Sequence, residues 1–300
     1  MFDVIIVGAG TAGLSAGIYT ARSGKSALIL ESKAYGGQII NTPEIENYPG
    51  IKNISGFEFA TGLYEQAVGL GAEVRYEKVI SIEDEGEIKV VNTAENSYEC
   101  RAVIIATGAK NRQLGIPREE DLIGSGISYC ATCDGAFYRN KAVAVAGGGN
   151  TAIEDALFLS NYCSKVYVVH RRDAFRADLK DVEQLKSREN VEFVLNANVV
   201  AVLGEDKVEG IEVKDKNSGE LRQIPVAGLF IAVGQEPDNQ AFSNLVALDS
   251  TGYVVAKEDC LTNVKGIYTA GDCRTKSVRQ LTTAAADGAV AALAACERIM

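Results

Sequence analysis

Histidine is nearly absent from this 300-residue chain: His170 is the single one, and it lies within a cluster of arginines. A structural zinc needs four ligands. The seven cysteines form one close pair and five scattered members, Cys100, Cys163, Cys260, Cys273 and Cys296, so a second ligand pair is missing. No metal site is expected. The same scatter excludes the disulfide framework of a small secreted domain. The isolated five read as small buried hydrophobes, with Cys273 set apart because it follows Gly271-Asp272. No apolar run approaches the ~20 residues that span a bilayer, and Met1 leads directly into the first strand, so neither a membrane span nor a targeting segment is expected. Basic tracts and low-complexity stretches are missing too, and the formal net charge is -10. That balance argues against nucleic acid or an anionic membrane as partner. A soluble cytoplasmic protein is the expectation. At 47% hydrophobic residues, the chain can bury two cores and has no room for a third large domain.

What is present begins at the N-terminus. Phe2-Asp3-Val4-Ile5-Ile6-Val7 reads as a buried parallel strand running into Gly8-Ala9-Gly10-Thr11-Ala12-Gly13 and an apolar-periodic helix from Leu14 to Ser23. This is a βα phosphate turn. Gly8 permits the tight turn, Gly10 lets the backbone approach a pyrophosphate, and Gly13 brings helix and strand together, so the helix N-terminus can donate N–H groups to an anion. The next strand, Ser26 to Leu30, ends at Glu31. A carboxylate there accepts hydrogen bonds from ribose hydroxyls and repels a 2′-phosphate.

The pattern recurs. Lys141 to Ala146 reads as a strand, Gly147-Gly148-Gly149-Asn150-Thr151-Ala152 as the turn, and Ile153 to Asn161 as the helix. Gly8 precedes Glu31 by 23 residues, and Gly147 precedes His170, at the end of the strand from Lys165, by the same 23. In place of the carboxylate stand His170, Arg171 and Arg172, with Arg176 close behind. Guanidinium forks match phosphate oxygens in geometry and charge, so the second site is expected to prefer NADP(H) over NAD(H). A solvated basic loop is the plainer alternative.

Between the two turns lies Cys130-Ala131-Thr132-Cys133-Asp134. Residues three apart on a first helical turn bring their Cα atoms to roughly 5 to 6 Å, within disulfide range. Such a pair can open and close without unfolding the backbone. A helix starting here would also lower the thiol pKa. With no spare histidine, the acid/base role falls to Asp134, whose pKa burial would raise; a capping or first-turn carboxylate is the other reading.

Arg101 to Ala109 and Leu229 to Gly234 read as matching strands that close the two sheets. After Pro237 no third unit begins: one strand and turn, Gly266 to Asp272, precedes an Ala-rich helix from Gln280 to about Ile299. The tail is therefore expected to return to the first domain, leaving the second inserted through linkers near 111–116 and 235–240. The expected class is α/β, with two Rossmann-like (three-layer ββα) nucleotide-binding domains: 1–112 with 240–300, and 113–239 carrying the cysteine pair.

The chain closely resembles the low-molecular-weight thioredoxin reductases. The resemblance spans nearly its whole length, through Gly8-x-Gly10-x-x-Gly13, Gly36-Gly37-Gln38, Glu46-Asn47-Tyr48-Pro49-Gly50, Ala106-Thr107-Gly108, Cys130 to Asp134, Gly147 to Ala152, His170 to Ala177, Gly271-Asp272 and Arg279-Gln280. It implies FAD at the first site, with Gly37, Gln38, Asn47, Asp272, Arg279 and Gln280 among its contacts. It implies NADPH at the second, through Gly147, Gly149, Asn150, Thr151, His170, Arg171, Arg172 and Arg176. It further implies a homodimer, a rotation of one domain on the other, a Cys133 nearer the flavin, and a Cys130 that attacks the disulfide of thioredoxin. One departure is Leu281-Thr282, where the family often carries alanine and an aliphatic residue. No residue identifies the docking partner, so another dithiol protein, from a peroxidase system or glutaredoxin-like, stays open.

Overall fold

A computed structural model describes residues 1–299. The chain divides into two units, one formed by Met1–Lys110 with the segment from Glu236 onward, the other by Asn111–Gln235.

In the first unit β1 (Phe2–Val7), β2 (Ala27–Leu30), β3 (Glu73–Arg75), β4 (Val79–Glu85), β5 (Ile88–Thr93) and β6 (Ser97–Ile105) form a sheet in the order β3-β2-β1-β6-β5-β4. The pairings from β3 to β6 are parallel and those from β6 to β4 antiparallel. The strand Ile267–Thr269 adds in parallel to the second half of β6. Val4 to Val7 are apolar at every position because both faces of the sheet are covered. Val4, Ile6, Ile29 and Ile104 enter the core beneath the helices, while Ile5, Val7, Leu28, Leu30 and Ile105 enter the opposite core. Each such fully buried side chain contributes about 1.5–3 kcal/mol.

Helix α1 (Thr11–Arg22) packs against the closing helix Leu281–Arg298 through small residues. A Cβ on Gly288 would stand 2.2 Å from the Ala12 carbonyl oxygen, and Ser15 Oγ donates to Ala285 O at 2.7 Å. The Ala-rich composition of the closing helix is what permits this approach. Helix α2 (Gly56–Gly69) starts at a capping box, Ser55 accepting from the Glu58 N–H and Glu58 from the Ser55 N–H.

The second unit repeats the plan. Its strands Val191–Leu195, Lys165–His170, Ala142–Gly147, Gly228–Ala232 and Ile127–Ser128 lie in that order, all parallel. Helices α3 (Ala131–Asp134), α4 (Asn150–Ser160) and α5 (Leu179–Lys186) follow in the chain. Val143, Val145, Val166 and Val168 pack on Ile153 and Leu159 of α4 and Leu185 of α5. The other face, Ala144, Val169 and Leu229, packs on an antiparallel sheet formed by Ala197–Leu203, Gly210–Asp215 and Leu221–Ile224. The fold is α/β with two Rossmann-like domains. Both nucleotide-turn helices begin three residues earlier than apolar periodicity places them, at Thr11 and Asn150. Thr11 to Gly13 and Asn150 to Ala152 carry no apolar stripe, yet the glycine before each releases the chain into the helix.

Candidate active site

At the first turn Gly8 has φ +108° and no room for a side chain, since a Cβ would lie 2.4 Å from the Ala106 carbonyl oxygen. Gly13 is equally constrained, its would-be Cβ 1.9 Å from Gly8 O. Gly10 differs: nothing lies within 4 Å of where its Cβ would project. Gly10 is also the N-cap of α1 and makes no side-chain cap, so no capping side chain serves the first-turn N–H groups. Glu31 sits at the end of β2 with its carboxylate held by the Ala9 N–H (2.8 Å) and the Lys33 N–H (2.9 Å).

Distant segments converge on this turn. The Gly36 N–H donates to Ala9 O at 2.8 Å, which sets Gly37 and Gln38 beside Gly10, and Gln38 Nε2 donates to Ala109 O. The Gly271-Asp272 turn meets the start of α1, where a Cβ on Gly271 would stand 2.7 Å from that of Ala12. Asn47 Nδ2 donates to Gln280 Oε1 at 3.3 Å, and the Arg279 guanidinium lies 4.3 Å from the centre of the Tyr253 ring. Asp272 Oδ1 and Arg279 Nε are buried with no hydrogen-bond partner among the described residues. Buried polar groups left this way are uncommon in native proteins. Burial pushes the Asp272 carboxyl up.

The second turn differs in its underside. Gly149, the N-cap of α4, again faces open space, but a Cβ on Gly148 would fall 2.1 Å from the His170 ring. His170 is buried, stacked on Phe175 at 5.2 Å, with Nε2 3.2 Å from Ala174 O. Burial lowers its pKa, and Arg171, Arg172 and Arg176 lower it further. The ring therefore supports the turn from beneath as a neutral group. Arg171, Arg172 and Arg176 reach solvent. Their loop is fastened to the turn by the Arg176 N–H on Gly148 O (2.9 Å) and the Asp178 N–H on Asn150 Oδ1 (3.1 Å). Thr151 is exposed on the first turn of α4.

Cys130 and Cys133 are joined by a disulfide, with Cα atoms 5.3 Å apart. The segment forms a single helical turn, α3, capped by Cys130 and continuing as the 3-10 turn Gly135–Tyr138. The full helix that would lower a thiol pKa through its dipole is therefore not present. Gly135 lets α3 pack against α4, since a Cβ there would meet Leu159 Cδ2 at 3.0 Å and Phe158 Cε1 at 3.3 Å. Asp134 Oδ2 accepts from Ser128 Oγ at 2.6 Å. Burial raises the Asp134 pKa and the Ser128 hydrogen bond opposes the rise. Cys273 is fully buried, its Sγ 3.4 Å from Ile105 O and 3.3 Å from Ala270 O, and burial pushes the thiol up. It packs in the core as a small buried side chain.

Three features escape a reading of the sequence. Ser128 is one. Asn239 is another: it is fully buried, donating to Gly252 O and Cys273 O and meeting Thr107 Oγ1 at 2.8 Å. The third is a buried ion cluster in which Asp287 accepts from Arg274 Nε and Nη2 (both 2.8 Å), Lys276 Nζ (2.9 Å) and the Gly271 N–H (2.9 Å). It holds the turn that carries Asp272. One signal was available, an aspartate inside an otherwise Ala-rich helix.

Residues 2–288 match the family profile described as pyridine nucleotide-disulphide oxidoreductase. The thioredoxin reductase of Treponema pallidum is 44% identical over 299 residues, 99% of this chain and 97% of that protein. The crystal structure of thioredoxin reductase from Streptococcus pyogenes superposes with a TM-score of 0.96 at 41% identity, covering 100% of this chain and 98% of that one. Thioredoxin reductase from Giardia duodenalis gives 0.94 at 33% identity, covering 99% and 98%. Similarity of this extent reaches every segment that forms the two turns and the cysteine pair. The chain belongs to the pyridine nucleotide-disulphide oxidoreductases and, within them, to the thioredoxin reductase family.

Proposed function

We propose that the protein is an NADPH-dependent, FAD-containing thioredoxin-disulfide reductase in which electrons pass through the Cys130–Cys133 disulfide to oxidised thioredoxin. The observation that carries this reading is the disulfide itself, closed over one helical turn beside a carboxyl whose pKa is raised. The residues at both turns fit a dinucleotide. Gly10 and Gly149 leave space where a side chain would project, and the partnerless Asp272 Oδ1 and Arg279 Nε supply a buried acceptor and donor for a flavin nucleotide. Gly37, Gln38, Asn47 and Gln280 complete that site, with Glu31 at the adenosine ribose. At the second turn Gly147, Gly149, Asn150 and Thr151 would hold the pyrophosphate. Arg171, Arg172 and Arg176 would hold the 2′-phosphate, with His170 as their neutral support.

When bound, NADPH would supply the hydride and the flavin would supply an electron pair for the disulfide. The chain supplies the rest. Reduction opens the sulfur–sulfur bond to a thiolate and a thiol, and Asp134 delivers and withdraws the proton that this requires. Cys130, at the N-cap of α3 and partly exposed, attacks the thioredoxin disulfide. A mixed disulfide forms and one thioredoxin thiolate leaves. Cys133 then attacks Cys130 Sγ, which re-forms the internal disulfide and releases the second thiolate. Five further cysteines are free and buried, in keeping with a reducing, cytoplasmic setting. A homodimer accompanies the reading by family resemblance. Cys130→Ser is expected to abolish NADPH-driven thioredoxin reduction while flavin stays bound and reducible, and full turnover in that variant would remove the assignment.

A further inference from the structure

We propose that Ser128 is a positioning residue for the proton chemistry of the redox turn, biasing Asp134 toward its ionised form and tying that charge state to the backbone of Cys130. The inference rests on the reading of Asp134 as the acid/base group.

Ser128 ends the strand Ile127–Ser128 and is 4% exposed. Its Oγ makes three contacts: it accepts the Cys130 N–H at 3.0 Å, donates to Asp134 Oδ2 at 2.6 Å, and lies 3.3 Å from Cys130 O. A serine hydroxyl has one proton and two lone pairs. The Cys130 N–H occupies one lone pair, so the single proton serves either Asp134 or Cys130 O. While Asp134 is charged, the short charge-assisted bond takes it. When Oδ2 gains a proton, two protons cannot occupy one contact. The carboxyl then donates to the second lone pair of Ser128, whose own proton turns to Cys130 O. One proton is gained at Oδ2, and no other covalent bond is made or broken.

Cys130 O already accepts the N–H groups of Cys133 (3.3 Å) and Asp134 (3.1 Å), which close α3. The displaced serine proton therefore arrives at the carbonyl on which the cysteine turn is built. Protonation turns the 2.6 Å charged contact into a neutral one and adds only the long 3.3 Å contact, which favours the ionised carboxylate.

The titratable groups nearby are few. Tyr138, on the following turn, is raised to about 12 by burial and by the charge of Asp134. Helix α4, packed on α3, brings Glu154 and Asp155, and Tyr162 follows it; burial, then Glu154, raises Asp155 to about 7. Arg139 and Lys141 lie over the rings of Tyr162 and Tyr138, 5.6 and 5.7 Å from their centres. Asp134 itself answers to burial, which raises it, and to Ser128, which lowers it.

The test is the pH profile of NADPH-driven thioredoxin reduction in wild type, Ser128→Ala, Asp134→Asn and the double variant. It is paired with 13C NMR titration of aspartate carboxyls in the disulfide form, where no turnover is needed. A hydrogen bond to a charged group corresponds to a shift of about 1 to 2 pH units. Ser128→Ala is expected to move the Asp134 limb and its carboxyl resonance upward by that amount. Asp134→Asn should remove both, and Ser128→Ala should then add no further shift. A limb that survives Asp134→Asn overturns the role of Asp134. A limb lost in Asp134→Asn but unmoved in Ser128→Ala overturns the role of Ser128 alone. Ser128→Cys, of similar size and a weak donor, provides a second variant; an unchanged Asp134 titration there also refutes the proposal.

Discussion

Asp287→Asn removes one negative charge and almost no volume from the buried cluster behind the Asp272 turn. Arg274, Lys276 and Asp287 have side chains only 1%, 5% and 8% exposed, so water cannot replace the lost partner. Two cations would remain buried, one of them facing an amide N–H group in place of an oxygen. Removing one member of a buried pair destabilises by about 3–5 kcal/mol, which for a domain of this size lowers the melting temperature by roughly 6–20 °C. The charge also gives a pH signature. Burial raises the Asp287 pKa, but hydrogen bonds from Arg274 and Lys276 outweigh it and leave the folded value below the ordinary 3.8. Its contribution is therefore complete above the unfolded pKa and is lost as the pH falls through the folded one. Wild type and variant should differ most at neutral pH and converge in acid. Calorimetry of the flavin-free protein across pH measures this, and flavin titration reports the displaced Asp272 turn. A neutral-pH loss under about 1 kcal/mol, or a difference that persists unchanged in acid, would refute the role given to the cluster.

Arg171→Ala with Arg172→Ala removes charge-assisted contacts of about 1.5–3 kcal/mol each, so KM for NADPH should rise at least tenfold while KM for NADH stays nearly fixed; parallel changes in both would count against a 2′-phosphate site. Gly148→Ala places a Cβ 2.1 Å from the His170 ring and should weaken nucleotide binding by calorimetric titration. Unaltered affinity there would mean that His170 does not support the turn.

The legible parts of this chain were those where one residue type has one physical use. Gly8, Gly13 and Gly147 are fixed by backbone contacts that any Cβ would violate, and continuous apolar runs mark the parallel strands because both faces are buried. The unlabelled parts have mixed burial. β4 and β5 alternate exposed and buried positions over short spans, and the Val191–Leu195 strand is nowhere fully buried, so neither gives a strong pattern. Ser128 and Asp134 are six residues apart across a strand end and a one-turn helix, a separation that matches no period. Asp272 and Arg279 were singled out by resemblance alone, since their partnerless buried atoms exist only once the chain has folded. His170 stands at the head of the arginine run in the sequence, yet in the fold it is buried beneath Gly148 and apart from the exposed guanidinium groups.

Anaerobic titration of the flavin-loaded protein with NADPH tests the relay most directly. The wild-type chain is predicted to take up electrons beyond the capacity of the flavin, with the excess lost when Cys130 and Cys133 are both replaced by serine. A wild-type end point at the flavin capacity alone would take the disulfide out of the electron path and contradict the account.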